Sequence, residues 1–156
     1  MQINAYQIAQ RFAGMAEVSG KTANPQIMAM LSLDAKWPED DSVPWCSAFV
    51  NYVAWLLRLP RSKSLRARSW LETGVPVPLS YAEPGFDVVI LKRGKGDQPG
   101  PEVIKAPGHV GFFAGIDGGQ VLLLGGNQSD QVSIGSYLGE RVLGVRRLYT
   151  PASVVE

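Results

Sequence analysis

The chain has 156 residues, enough for one domain with a substantial hydrophobic core and too few for two ordinary ones, so we expect a single domain over residues 1–156. With 46% hydrophobic residues, 19% charged residues and a net charge of +1, the composition is globular and gives no electrostatic reason to expect a nucleic-acid partner. One cysteine and one histidine exclude an internal disulfide and argue against a metal site, since zinc takes several such ligands.

The first part of the chain predicts helices. Residues 1–6 lack the basic region and apolar run of a secretory signal, and no run approaches the roughly 20 apolar residues that span a bilayer. We therefore expect synthesis in the cytoplasm, no membrane insertion, and delivery by another system if the protein acts on a cell wall or in a periplasm. An amphipathic helix is predicted over residues 3–16. Asn24 and Pro25 are typical of an N-cap and a first helical turn, so they predict the start of a short second helix.

The stretch from Pro44 to Val50 carries the only cysteine, at the point where a loop becomes a helix. The polar residues 39–42 suit an N-cap, Pro44 is tolerated in a first turn, and apolar residues then repeat at helical spacing until Pro60. Cys46 therefore belongs to the first turn, where free backbone N–H groups and the helix dipole favour the thiolate. A nucleophilic cysteine is activated in this way when a base stands nearby. A small buried hydrophobe is the alternative role of a lone cysteine.

From residue 75 onward the chain predicts strands. Residues 75–79 are extended but interrupted by prolines, which suits only a sheet edge, and the loop 92–107 is rich in Gly, Pro and charge. Asp117-Gly118-Gly119 predicts a hairpin. Helices first and strands after indicate an α+β fold with an antiparallel sheet. The predicted strands are 87–91, 110–114, 121–124, 131–134 and 142–149.

The single histidine, His109, opens a strand between two glycines, whose missing side chains let another element approach the imidazole. If the hairpin loop has three residues, counting along the two strands places His109 opposite Asn127. Asn127 would then bond to one ring nitrogen and leave the other for Cys46. A two-residue loop would bring Gly126 opposite His109, and a bulge at the two glycines before Asn127 would be needed to restore the pair. A turn residue is the alternative role of Asn127.

Cys46, His109 and Asn127, in this order, suit the nucleophile, base and orienting residue of a thiol mechanism. The segments that carry them are Pro-Trp-Cys-Ser-Ala-Phe-Val-Asn, Gly-His-Val-Gly-Phe and Gly-Gly-Asn-Gln. They resemble the CHAP and NlpC-type cysteine amidohydrolases and peptidases, most closely small phage-associated members. The resemblance extends to Asn24-Pro25, Ala67-Arg68-Ser69-Trp70 and the Pro84-Gly85 turn, although Phe86 makes that turn one residue longer than the usual Pro-Gly-Asp.

The resemblance implies a papain-like α+β fold in which N-terminal helices, the Cys46 helix among them, pack on an antiparallel sheet. It also implies hydrolysis of an amide bond in bacterial peptidoglycan, as a phage endolysin or a similar wall-degrading factor. By this analogy Cys46 is the nucleophile, His109 the base and Asn127 the orienting residue. We expect a monomer that needs no metal or organic cofactor.

Trp45, Trp70, Arg68 and Gln128 are candidates for substrate contacts, and Ser47 is a further candidate for stabilising the oxyanion. Trp45 and Trp70 could line a groove for sugar or peptide stems, although core packing is equally expected of tryptophan. Arg68 could meet a stem-peptide carboxylate, although a solvated surface arginine is the commoner case. The backbone N–H of the cysteine is a natural oxyanion donor, and either Ser47 or Gln128 could supply the second donor.

Two other function classes stay open at this point. A non-catalytic wall-binding or virion structural module on the same fold would need neither the thiol nor the imidazole, and thiol reactivity discriminates it. A thiol acyltransferase, or a protease acting on a non-wall substrate, would share the same machinery. Product analysis with purified peptidoglycan separates these from a wall hydrolase.

Overall fold

Three helices precede one antiparallel sheet in the computed structural model, which describes residues 2–18, 23–34 and 44–149. The helices are α1 Ala5–Gln10, α2 Pro25–Leu31 and α3 Cys46–Leu56, with short 3-10 helices at Ala67–Glu72, Leu79–Tyr81 and Gly139–Arg141. The strands are β1 Val75–Val77, β2 Asp87–Lys92, β3 Gly108–Asp117, β4 Gln120–Gln128, β5 Gln131–Leu138 and β6 Val142–Arg147. Their order in the sheet is β1-β6-β2-β3-β4-β5. None of the helices in the described ranges is long and apolar enough to cross a bilayer.

The first helix is shorter than the prediction of a helix over residues 3–16. Asn4 caps α1 through reciprocal hydrogen bonds with Gln7, of 2.8 and 2.9 Å, but the helix has only 6 residues. The chain then turns at Gly14, where φ is +90°, a conformation that favours glycine. Ala16 joins the sheet through a bridge to β5. The apolar residues predicted as one helix therefore belong to a helix, a turn and a bridge.

The next two helices begin close to where the sequence predicts. Asn24 caps α2 by accepting a hydrogen bond of 2.9 Å from the backbone N–H two residues on. Cys46 is the first residue of α3, and Trp45 is its N-cap residue, without a side-chain cap. Pro44 lies before this cap and not in the first turn, which corrects the prediction, and residues 39–42 lie outside the described ranges.

The sheet separates two hydrophobic clusters because successive side chains of a strand point to opposite faces. In β2, Val88 and Ile90 pack with the helices, whereas Val89 and Leu91 belong to the cluster on the other face. Helix α3 packs on β3 and β4 at the centre of this arrangement. The predicted α+β fold, with the cysteine helix on an antiparallel sheet, is confirmed.

The hairpin between β3 and β4 has the two-residue turn, at 118–119, of the two loop lengths that the sequence left open, since Asp117 pairs with the first residue of β4. An unpaired residue at Ala114 then shifts the register by one. This bulge offsets the shorter turn, so Phe112 faces Leu124, as a three-residue loop would have placed it. The path of β4 after Leu124 therefore decides whether Asn127 lies beside His109.

Candidate active site

Cys46 and His109 meet where the first turn of α3 reaches the start of β3. The Cys46 side chain lies close enough to the His109 side chain and to the backbone N–H of Val110 for both to lower the pKa of its thiol. Both side chains are buried, with 1% of Cys46 and 6% of His109 exposed. The sequence separates these two residues by more than sixty positions, and the packing of α3 on β3 brings them together.

Burial and pairing act in opposite directions on these two groups. Burial raises the pKa of the Cys46 thiol. His109, the N–H of Val110 and the charge of Arg93 together lower it by more, so the net shift is downward. Burial lowers the pKa of His109, but its contacts with Cys46 and Gln128 raise it, so the net shift is upward. Both shifts favour a thiolate–imidazolium pair.

Gln128 is the residue that orients the imidazole. Its Nε2 donates to the backbone carbonyls of Leu123, at 3.2 Å, and Ser133, at 2.6 Å, which fixes the amide so that Oε1 faces the ring. Nε2 of His109 lies 2.9 Å from this Oε1 and therefore carries the proton that it donates. Nδ1 is left as the ring nitrogen for Cys46. The amide of Gln128 is fully engaged and cannot serve as the second oxyanion donor that the sequence suggested.

The predicted contact between Asn127 and His109 is wrong. The β4–β5 register shifts between Gly125 and Gln128, and Asn127 sits in this irregular segment with φ +58°. The strict alternation of side chains along β4 is broken there, so Gln128 reaches the ring in place of Asn127. Asn127 lines a cleft that His109 also lines, and its side chain forms no hydrogen bond with a described residue. The two glycines that precede Asn127 were the only sequence signal for this bulge.

Tyr137 of β5 is a further member of the site that the sequence analysis missed. Its hydroxyl donates to Oε1 of Gln128 at 2.9 Å and lies 3.3 Å from Nε2 of His109, and its ring lies 5.4 Å from the imidazole ring. Burial and the negative charge of Cys46 raise the pKa of Tyr137 to about 12, so the hydroxyl keeps its proton. Nothing about a tyrosine in a predicted strand singles it out, because its position depends on the β4–β5 register.

Trp45 and Trp70 belong to the core and not to a substrate groove. Both residues are 0% exposed. Nε1 of Trp45 donates to Oε1 of Glu17 at 2.7 Å, and Nε1 of Trp70 donates to Oγ of Ser47 at 2.9 Å. The Ser47 hydroxyl donates in turn to the carbonyl of Ser64 at 2.6 Å, so it is not placed as an oxyanion donor. Buried indole N–H groups need acceptors, and these bonds supply them.

Arg68 is also buried, which corrects both its predicted role with a substrate carboxylate and the alternative of a solvated arginine. It is 0% exposed, and its Nε donates to the carbonyl of Pro107 at 2.9 Å. Its Nη1 donates to the carbonyls of Pro99, Gly100 and Val103, at 2.9, 2.7 and 3.2 Å. Arg68 thus fixes the end of the predicted loop 92–107 just before β3 and His109.

One oxyanion donor is available at the start of α3. The backbone N–H of Cys46 lies in the first turn and donates to no described residue. Together, a paired thiol, an imidazole held by an amide and a free N–H beside the sulfur can support nucleophilic attack on a carbonyl carbon. Within the described ranges, no group of three or more His, Cys, Asp or Glu side chains is placed to hold a metal ion.

Comparison with known proteins supports the fold. Neither a protein-family model nor a curated protein matches the sequence. Among solved structures, the chain is similar to NlpC1 from Trichomonas vaginalis, with a TM-score of 0.58 and 16% identity over 96% of this chain. The chain spans 46% of the length of that protein, about half. The likeness shows an NlpC-like, papain-like fold.

Proposed function

We propose that the protein is a cysteine amidohydrolase or peptidase that cleaves an amide bond in bacterial peptidoglycan. The observation that carries the proposal is the buried pair of Cys46 and His109 on an NlpC-like fold, with the imidazole hydrogen-bonded to Gln128. The pairing of a thiol at a helix start with an oriented imidazole is the arrangement that thiol hydrolysis requires. The peptidoglycan substrate, and a role as a phage lysin or similar wall-degrading factor, rest on the resemblance of the motifs around Cys46, His109 and Asn127.

Each step of the proposed reaction has a residue to perform it. The Cys46 thiolate attacks the amide carbonyl, and the backbone N–H of Cys46 donates to the oxyanion that forms. The His109 imidazolium gives its Nδ1 proton to the leaving amine, which breaks the C–N bond and leaves a thioester on Cys46. Neutral His109 then takes a proton from water, which attacks the thioester and releases the acid. Gln128 holds the ring in one orientation throughout.

Digestion of purified sacculi tests the proposal directly. We expect the wild-type protein to release soluble fragments whose masses, by mass spectrometry, show cleavage of one type of amide bond. Cys46→Ala should release none while showing the circular dichroism spectrum and unfolding midpoint of a folded protein. An absence of fragments with sacculi of several peptidoglycan types, or equal release by Cys46→Ala, would contradict the proposal. Masses that show transfer of an acyl group to an added amine would instead identify an acyltransferase.

A non-catalytic module on the same fold is the second candidate, and the burial of the thiol favours it. With only 1% of Cys46 exposed, a substrate carbonyl needs some opening of the site to reach the sulfur. Iodoacetamide separates the two candidates because the chain has one cysteine, so any alkylation reports on Cys46 alone. Reaction under native conditions supports a nucleophile, and reaction only in denaturant supports a structural thiol.

A further inference from the structure

Tyr137 approaches the Cys46–His109 pair from β5, the strand at the edge of the sheet. Its hydroxyl oxygen lies 2.9 Å from Oε1 of Gln128 and 3.3 Å from Nε2 of His109. Nε2 of His109 in turn lies 2.9 Å from the same Oε1. An imidazole nitrogen, an amide oxygen and a phenol oxygen therefore form a triangle of mutual contacts. The reaction steps proposed above use the first two atoms of this triangle and not the third.

The protons in this triangle follow from what each group can donate. Nε2 of His109 carries a proton, because the fixed amide of Gln128 presents only an acceptor to it. Burial and the charge of Cys46 raise the pKa of Tyr137 to about 12, so its hydroxyl keeps its single proton. That proton goes to Oε1, since a protonated Nε2 has no lone pair to accept it. The phenol oxygen then offers a lone pair to the Nε2 proton, as a second acceptor beside the amide oxygen.

Gly135 makes room for this contact. Gly135 and Tyr137 lie two positions apart in β5 and so share one face of the strand. A Cβ at residue 135 would lie 2.9 Å from the hydroxyl oxygen of Tyr137, 3.0 Å from its Cε2 and 3.2 Å from Cδ of Gln128. The tyrosine side chain therefore lies over Gly135 where it reaches the amide. Any side chain at residue 135 would force the hydroxyl to move.

The surroundings of His109 leave its protonated form dependent on neutral acceptors. Burial lowers the pKa of His109, its contacts with Cys46 and Gln128 raise it, and the charge of Arg93 lowers it. Two further cations line the same cleft as His109, namely Lys92 and Arg141. Among the described residues that line this cleft there is no Asp or Glu. With cations nearby and no carboxylate, the imidazolium is stabilised by the thiolate on one side and by oxygens of neutral groups at Nε2.

We infer that Tyr137 is a positioning residue, whose hydroxyl oxygen is a second acceptor for the Nε2 proton of His109 and holds the imidazole in its protonated form beside the Cys46 thiolate. A cationic N–H is a stronger donor than a neutral one, so an acceptor at Nε2 stabilises the imidazolium more than the neutral ring and raises the pKa of His109. The part of Tyr137 in the reaction rests on the proposed amide hydrolysis, whereas its effect on the imidazole can be measured without a substrate.

The single histidine of the chain makes this effect measurable by NMR. In untagged protein with 15N-labelled histidine, every imidazole signal comes from His109, and its 15N chemical shifts over a pH series give the protonation midpoint. Tyr137→Phe removes the hydroxyl and keeps the ring. We expect it to lower the midpoint by about 0.5–1 pH unit, as for the loss of one hydrogen bond. The ratio of imidazolium to neutral imidazole at a given pH then falls about three- to tenfold.

Tyr81→Phe is the matched control, because it makes the same chemical change away from the site. Tyr81 is 74% exposed, and its hydroxyl forms no hydrogen bond with a described residue. The midpoint of His109 should therefore equal that of the wild type. Because a thiol and an imidazole in contact titrate as a pair, the comparison is repeated in a Cys46→Ala background. The shift caused by Tyr137→Phe should persist there, since the hydroxyl acts on Nε2 and not on the thiol.

Alkylation of Cys46 reports the same effect from the other member of the pair. A less stable imidazolium disfavours the thiolate, so the rate with iodoacetamide at about pH 6 should fall about three- to tenfold in Tyr137→Phe and stay within about twofold of the wild type in Tyr81→Phe. At a pH above both titrations Cys46 is ionised in every variant, and the rates should be equal. A merely structural loosening of the site by Tyr137→Phe would change the rate there as well and would contradict the inference.

The NMR titration separates failure of this inference from failure of the proposed hydrolysis. An unchanged His109 midpoint in Tyr137→Phe, or an equal shift in Tyr81→Phe, would overturn the role of Tyr137 even if the wild type cleaves sacculi. A lower midpoint in Tyr137→Phe alone, together with a wild type that releases no fragments from sacculi, would support the contact with the imidazole and count against the hydrolase.

Discussion

Replacing Gln128 by Met is the sharpest test of how the imidazole is held. The Gln128 amide makes four hydrogen bonds: Oε1 with His109 and Tyr137, and Nε2 with the carbonyls of Leu123 and Ser133. An amide has two acceptor lone pairs and two N–H donors, so all four are used. Met has a similar length and flexibility and supplies none of these bonds. Gln128→Met thus removes the polar contacts while largely keeping the volume.

The loss of stability expected for Gln128→Met depends on which hydrogen-bond partners of the Gln128 amide are buried. The contacts with His109 and with the carbonyl of Leu123 are buried, whereas those with Ser133 and Tyr137 are partly open to solvent. A buried group that loses its partner costs about 1–3 kcal/mol, so two such groups lower the free energy of unfolding by about 2–6 kcal/mol. Urea unfolding measures this as a lower midpoint at unchanged slope.

The same variant should weaken the thiolate. Burial lowers the pKa of His109 and the Gln128 contact raises it, so removal of that contact lowers it and disfavours the imidazolium partner of Cys46. We expect the rate of alkylation by iodoacetamide at about pH 6, measured under native conditions, to fall by about 10–100-fold, as for a misplaced reacting group.

Asn127→Gly is the matched control for Gln128→Met. It removes the neighbouring amide, and glycine accepts the φ of +58° found at this position. We expect its alkylation rate to stay within about threefold of the wild type, since the Asn127 side chain makes no bond to His109. A Gln128→Met protein with wild-type stability and wild-type alkylation, or an Asn127→Gly protein with the larger loss, would refute the assignment of Gln128.

Two further predictions concern the thiol and the packing around it. In the wild type, Cys46 should react with iodoacetamide at about pH 6, where an ordinary thiol of pKa about 8.5 is almost wholly protonated. In His109→Ala the imidazole no longer lowers the pKa of Cys46, whereas burial still raises it. The midpoint of the pH–rate curve should therefore move above about 8.5. An unmoved midpoint would mean that His109 does not activate the thiol. Gly126→Ala should lower the free energy of unfolding by about 1–3 kcal/mol, because a Cβ there would lie 2.6 Å from the Trp45 ring. Gly119→Ala is the control: its Cβ would meet nothing within 4 Å, so the free energy of unfolding should change little. Equal unfolding midpoints for these two variants would contradict the close packing of Trp45.

The elements that could be predicted are those whose signals are local. The start of α2 follows from Asn24 and Pro25, and the position of Cys46 in the first turn of α3 follows from the helical spacing after it. The β3–β4 hairpin follows from its glycines. Each of these depends on residues a few positions apart, so one sequence is enough to place them.

The site residues that could not be predicted depend on single-residue shifts or on distant partners. One unpaired residue at Ala114 and an irregular segment before Gln128 decide which amide meets His109, and a shift of one position reverses the face of a strand residue. Arg68 is buried because three carbonyls more than thirty positions later converge on its Nη1. The residues next to Arg68 in the sequence give no indication of those carbonyls.

Two of the residues predicted to touch substrate, Arg68 and Trp45, instead pack against glycines of the sheet. A Cβ at Gly108 would lie 2.8 Å from Cγ of Arg68, and a Cβ at Gly126 would lie 2.6 Å from the ring of Trp45. Arg68 packs against Gly108, which directly precedes His109. Trp45 directly precedes Cys46 and packs against Gly126 of β4. A nucleophile and its base work only when held within about half an ångström of their productive geometry, which loops alone seldom provide. Core packing at these two glycines is therefore part of how the thiol and the imidazole are positioned.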